Sequence, residues 1–134
     1  MNPRSLPYYP ELVRLRGFLE TELEGFPFWK CEPTSCLVHL MTGLDIVAGR
    51  YVPDEDKHVW NYDSQRRLHV DINQDQYPHR GKIVIMPVDT PILRVEADVM
   101  EESILALAQG EFQDQISGLL GAYLLNQNIQ HHHL

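Results

Sequence analysis

Three side chains in this sequence can together prepare a nucleophile: the thiol of Cys31, the imidazole of His58 and the carboxylate of Asp71. Only the thiolate form of a cysteine attacks a carbonyl, so the thiol pKa decides reactivity. Cys31 stands at the start of a short predicted helix, and Pro33 suits its first turn. Free main-chain N–H groups there favour negative charge and are expected to lower the thiol pKa. The same groups, the Cys31 N–H among them, can donate to an oxyanion forming on a bound carbonyl. A histidine beside the thiol takes its proton as a base and returns it as an acid. A carboxylate fixes the tautomer of that histidine and stabilises the imidazolium. Such a set attacks an amide or related acyl bond and forms a thioester, which water or an amine resolves.

Two strands must position the histidine and the carboxylate. The segments Lys57–Tyr62 and Arg67–Ile72 both read as strands, separated by Asp63-Ser64-Gln65-Arg66. Symmetric pairing about that turn sets His58 opposite Asp71, and Trp60 opposite His69. Directly opposed residues point to one face with Cβ atoms about 4.5–5.5 Å apart, close enough for a hydrogen bond. The same register turns Val59, Leu68, Val70 and Ile72 toward the core. Ser64-Gln65 is not a favoured two-residue turn, so a slipped register stays open.

The remaining elements follow from periodicity. Pro10 opens a helix that carries Leu12, Leu15, Phe18, Leu19, Leu23 and Phe26 to about Gly25. The helix holding Cys31 is expected to run from Pro33 to Thr42 and to stop at Gly43. Residues 46–52 alternate as a strand, Lys82–Met86 forms another, and Ile92–Val95 is ambiguous between strand and helix. Asp98 with Glu101 has the spacing of a capping box for a helix to Ala108. Gln113 to Gln127 reads as a closing helix. Helices at both ends around a mostly antiparallel sheet make the expected class α+β. One domain over residues 1–130 accounts for the chain. Residues 131–134 form a tail whose histidines could be native or a remnant of a purification tag, and they carry no metal argument.

Around these residues the chain resembles a known superfamily. Cys31-Glu32-Pro33-Thr34-Ser35 is similar to the nucleophile-helix start of bacterial papain/transglutaminase-like cysteine enzymes. His58-Val59-Trp60 resembles their His-x-Trp strand, and Val70-Asp71-Ile72-Asn73-Gln74-Asp75-Gln76-Tyr77 resembles their Asp-Ile-Thr-x-x-Gln-Phe strand end. The order Cys, His, Asp matches as well. The resemblance spans roughly residues 29–77. It departs from the pattern at Trp29-Lys30, where a glycine is usual, and at Asn73, where threonine is common. It implies a papain/transglutaminase-like core and a peptidase, amidase, deamidase or acyl-transfer activity. No metal or organic cofactor is implied. Trp29, Trp60, His69 and Gln76 are the expected cleft residues beside the catalytic Cys31, His58 and Asp71.

Other readings of the same residues stand beside this one. Free cysteine is among the most buried residue types, so Cys31 and Cys36 could be core thiols. Cys31, Cys36 and His39 could form part of a zinc site, but the usual second ligand pair is missing. A degenerate version of the fold could serve as a binding or adaptor protein. A structural homo-oligomer could use Gly118, Gly121 and Ala122 on the final helix. A formal net charge of -8 argues against nucleic-acid and basic membrane-surface partners. The partner expected is a protein, peptide or small amide substrate. The N-terminus lacks an apolar signal segment, so the cytoplasm is the default location, with a signal-independent export route left open. The sequence is silent on oligomeric state.

Overall fold

Leucine spacing builds the first two helices. In the computed structural model, which describes residues 2–132, helix α1 runs Tyr9–Glu22 with Pro10 in its first turn, ending three residues earlier than the sequence predicts. Helix α2 runs Cys31–Thr42, so Cys31 is its first residue rather than its flank. Gly43 ends α2 in a left-handed conformation (φ 78°), its N–H donating to His39 O at 2.8 Å. This is the C-cap geometry that favours glycine.

Five strands follow: β1 Asp45–Tyr51, β2 Asp56–Asp63, β3 Leu68–Asp71, β4 Val84–Pro87 and β5 Leu93–Val95. They form one curled sheet in the order β4-β3-β2-β1-β5, every pair antiparallel. Helices α3 (Ala97–Leu107) and α4 (Gly110–His132) close the chain. The architecture is α+β. The backbone of α4 takes in His131 and His132, within the expected tail, whereas His133 and Leu134 lie outside the described residues.

The ambiguous segment Ile92–Val95 contributes a strand because of Gly49. In the β1–β5 pairing Gly49 faces Val95, and a Cβ at Gly49 would stand 1.9 Å from Arg94 O. Only a residue without a side chain lets β5 approach there. The capping box expected at Asp98 does not form. Helix α3 begins at Ala97 after Glu96, and no side chain caps it. Glu96 instead accepts from Arg50 and Arg94 on the two neighbouring strands, at 2.8 Å each.

The main core lies between the helices and one sheet face. It joins Leu12, Leu15 and Leu19 of α1, Leu37 and Val38 of α2, Val70 and Ile72 of the β3 end, and Tyr123 of α4. The opposite face gathers Tyr51, Trp60, Tyr77 and Leu93, with the Tyr51 and Tyr77 rings stacked at 3.8 Å. Among the described residues no helix is long and apolar enough to cross a membrane.

Candidate active site

The β2–β3 hairpin brings His58 and Asp71 together, though not in the expected register. Asn61 pairs with Val70, Tyr62 with His69 and Asp63 with Leu68, a displacement of two residues from symmetric pairing about Ser64-Gln65. The turn explains it. Asp63 Oδ1 accepts from the Arg66 N–H at 3.0 Å, and Arg67 takes a left-handed conformation (φ 58°), so the loop holds four residues, 64–67. A shift of two preserves the face each side chain points to, because strand side chains alternate with period two. His58 and Asp71 therefore become diagonal rather than direct neighbours, still within reach of long side chains. His58 Nε2 lies 2.7 Å from Asp71 Oδ2, both side chains buried. Trp60 and His69 are likewise diagonal, and Trp60 Nε1–H donates to His69 Nδ1 at 2.9 Å.

Asp71 accepts from several sides. Oδ2 also receives Gln74 Nε2–H at 3.1 Å, and Oδ1 receives the Asn73 N–H at 3.2 Å. With the Asn73 amide turned to suit its neighbours, its nitrogen donates to Asp71 Oδ1 at 3.0 Å and its oxygen accepts the Cys31 N–H at 3.2 Å. This acceptor-only pattern is that of a carboxylate. It also ties the carboxylate to the start of α2. The Cys31 N–H expected to serve an oxyanion is thereby engaged with Asn73.

The imidazole is held at both nitrogens. With Nε2–H donated to Asp71, Nδ1 carries the lone pair, and it accepts Gln76 Nε2–H at 3.1 Å. The Gln76 oxygen accepts the Trp29 N–H at 3.3 Å, which fixes the amide orientation. The loop carrying Asn73 to Gln76 is anchored from outside by Arg16 of α1. Its guanidinium is buried and grips both oxygens of Asp75 at 2.6 Å, and it also donates to Ile72 O at 2.8 Å and Lys82 O at 3.3 Å. Arg16 stacks on Phe26 and bonds Glu20 at 2.7 Å.

Cys31 departs from its expected electrostatics. Its side chain is buried and packs with Ala48, Val59 and Val99. Its Sγ–H donates to Glu32 Oε2 at 3.3 Å, not to His58. Burial pushes the thiol pKa well above its ordinary value, and the Glu32 charge adds to the rise, while a main-chain hydrogen bond from Val59 opposes it. The lowering expected from the helix start is overturned by this environment. Cys31 and His58 nevertheless both border one cavity of about 180 Å³, together with Glu32, Val59, Glu102 and Ser103, under α3, with the His58 ring itself buried against Trp60 and Tyr77.

The other expected cleft residues lie elsewhere. Trp60 is buried behind His58, the two rings stacked at 5.7 Å. His69 lines a separate cavity with Val47, Tyr62 and Leu93. Trp29 is 76% exposed with φ 59°, and it meets the site through its main-chain bond to Gln76. Cys36 is half-buried, its thiol pushed up to about 11 by burial and by Glu32. His39 Nδ1 is bonded to Leu44 O at 2.8 Å. Among the described residues no three His, Cys, Asp or Glu side chains gather as a metal site, so Cys31, Cys36 and His39 do not form one.

His69 has a pH consequence. Burial holds its pKa below the ordinary histidine value, against the raising effects of the Val88 carbonyl and of Asp71. A group depressed on folding adds stability that is full above its unfolded pKa, about 6.5, and is lost as pH falls through the lower folded value. Protonated Nδ1 would also oppose the Trp60 N–H. Stability in urea is expected to fall by up to about 2 kcal/mol between pH 7.5 and pH 5, the most that one histidine of unfolded pKa about 6.5 can contribute over that range. Part of that slope should disappear in His69→Gln. An identical slope in the variant would remove His69 as its source.

Arg16, Glu32 and Gln74 were not singled out from sequence. Arg16 alone left a signal, as a charged residue within the apolar spacing of Leu12, Leu15 and Leu19. Comparison with protein-family models, with curated proteins and with solved structures finds no match for this chain.

Proposed function

We propose that this chain is a cysteine-nucleophile enzyme acting on an amide or related acyl bond, built on a papain/transglutaminase-like core. One observation carries the reading: Cys31 and His58 line the same cavity, and Asp71 holds the far nitrogen of the imidazole at 2.7 Å. His58 Nδ1 takes the thiol proton, and the thiolate attacks the carbonyl carbon to give a tetrahedral oxyanion. The imidazolium returns that proton to the leaving amine as the C–N bond breaks, leaving a thioester on Cys31. Water or an amine then attacks, gives its proton to His58 and releases the thiol. Asp71 keeps the Nε2–H tautomer that leaves Nδ1 free to act as the base.

The test is the alkylation rate of Cys31 by iodoacetamide against pH, resolved from Cys36 by peptide mapping. His58→Ala is expected to slow Cys31 at pH 7 at least tenfold while leaving Cys36 unchanged. Glu32→Gln is expected to move the Cys31 profile to lower pH, since it removes a charge that raises the thiol pKa. A Cys31 profile indifferent to His58 would refute the enzyme reading. It would favour the second one, a binding protein on a degenerate version of the fold. That alternative draws on the thiol bonded to Glu32 rather than to the histidine.

A further inference from the structure

The reacting pair is parted by two specific bonds, and one of them has the character of a catch. His58 Nδ1 is the atom that must receive the Cys31 proton, and the lone pair there is taken by the Gln76 carboxamide at 3.1 Å. The other end of that carboxamide holds the main-chain N–H of Trp29, two residues before the nucleophile. One side chain thus bridges the base and the segment leading into α2. Neither bond is needed for the fold of the hairpin, which β2 and β3 pair without it.

We propose that Gln76 is a positioning residue that latches this site shut, and that the proton transfer of the proposed reaction requires its carboxamide to leave His58 Nδ1. The inference rests on the thiol-enzyme reading above. While the latch is closed the imidazole cannot accept from sulfur, because its one free lone pair is engaged, so in the absence of ligand Cys31 reacts through the minority of molecules in which the latch is open. The thiol then turns to Glu32, where a neighbouring negative charge and burial disfavour the thiolate. A ligand opens the latch by presenting a carbonyl oxygen to the Trp29 N–H. That oxygen replaces the Gln76 oxygen and frees the side chain to swing from the ring. The ligand class is therefore an acyl or peptide group that brings its own carbonyl acceptor to the segment before Cys31. Trp29 is open to solvent and accessible to such a group.

Gln76 sits in a single turn of 3-10 helix (Gln74–Gln76) whose position Arg16 secures through Asp75, so its side chain can be changed without moving that turn. Two variants separate the bond from the packing. Gln76→Met keeps the length and bulk and removes both hydrogen bonds. Gln76→Ala removes the bulk as well. Each is compared with wild type for iodoacetamide alkylation of Cys31 at pH 7, alone and combined with His58→Ala. The 15N resonance of His58 Nδ1 is recorded in parallel.

Loss of one hydrogen bond to the base is expected to raise the Cys31 rate between about twofold and tenfold in Gln76→Met. The gain should vanish when His58→Ala is added, and the Nδ1 resonance should move toward that of a free lone pair. A merely structural role for Gln76 would change neither the resonance nor the His58-dependent rate in this direction. If Cys31 depends on His58 in wild type but both Gln76 variants react at the wild-type rate or slower, the latch is wrong and the enzyme reading stands. A Cys31 rate indifferent to His58 in every background overturns the enzyme reading and the latch with it. An unmoved Nδ1 resonance in Gln76→Met overturns the latch alone.

Discussion

Arg16→Ala is expected to destabilise the protein by about 3–5 kcal/mol, the scale seen when one partner of a buried ion pair is removed. The guanidinium accounts for two oxygens of Asp75 and two main-chain carbonyls, those of Ile72 and Lys82. Alanine would leave these acceptors behind Phe26 without donors, and unmet buried polar groups are what make such changes expensive. The loss should exceed that from Glu20→Ala, whose carboxylate is more exposed. Urea denaturation followed by far-UV circular dichroism measures it. A double-mutant cycle with Asp75→Ala then separates the ion pair from the two carbonyl bonds. A change below about 1 kcal/mol would show that water replaces the guanidinium and that Arg16 does not hold the turn. Because that turn carries Gln74 and Gln76, the same variant should also blur the His58 ring resonances.

Asp71→Asn is expected to slow acylation of Cys31 by about 10²–10⁴-fold, the usual contribution of general acid–base catalysis. An amide has one accepting end and one donating end, whereas the Asp71 oxygens accept on both sides. If the new N–H₂ faces His58, the imidazole must present a lone pair at Nε2 and carry its proton on Nδ1. The base is then blocked. If it faces Asn73, two donors oppose each other beside the Cys31 N–H. Mass-resolved acylation by 4-nitrophenyl acetate, normalised to the folded fraction, reads the effect. Acylation at the wild-type rate in folded Asp71→Asn would exclude the His58–Asp71 pair from the chemistry.

The pairing of His58 with Asp71 was legible because it depends on parity, and parity survives an error of two. The register itself was not legible, since it turns on an Asp63 side chain reaching the Arg66 N–H and on Arg67 adopting a left-handed backbone. Helical spacing predicted α1 and α2 well, because leucines at three- and four-residue intervals mark a buried face whatever it packs on. Local rules misplaced the start of α3. They could not register that Glu96 is drawn to Arg50 and Arg94 across the sheet. The electrostatics of Cys31 reversed for a similar reason. A helix start is a local feature, but the burial of the thiol comes from Val59 and Val99, far along the chain. Arg16 shows the converse, a charged residue whose burial makes sense only with the β3 end in place.

The closure of the core by α4 has a consequence for synthesis. Tyr123 lies fully buried, its ring edge-on to Phe18 at 5.2 Å and its hydroxyl bonded to Glu11. Helix α1 therefore completes its packing against a helix made much later in the chain. Until α4 emerges, the leucines of α1 have only α2 and the β3 end to pack on, and the Phe18 edge that meets Tyr123 stays uncovered. A chain truncated after α3 should be captured by trigger-factor-like holdases and cleaved by proteases within α1, whereas the full chain resists both. Completion of this core is thus expected to wait on synthesis of α4 rather than to proceed element by element.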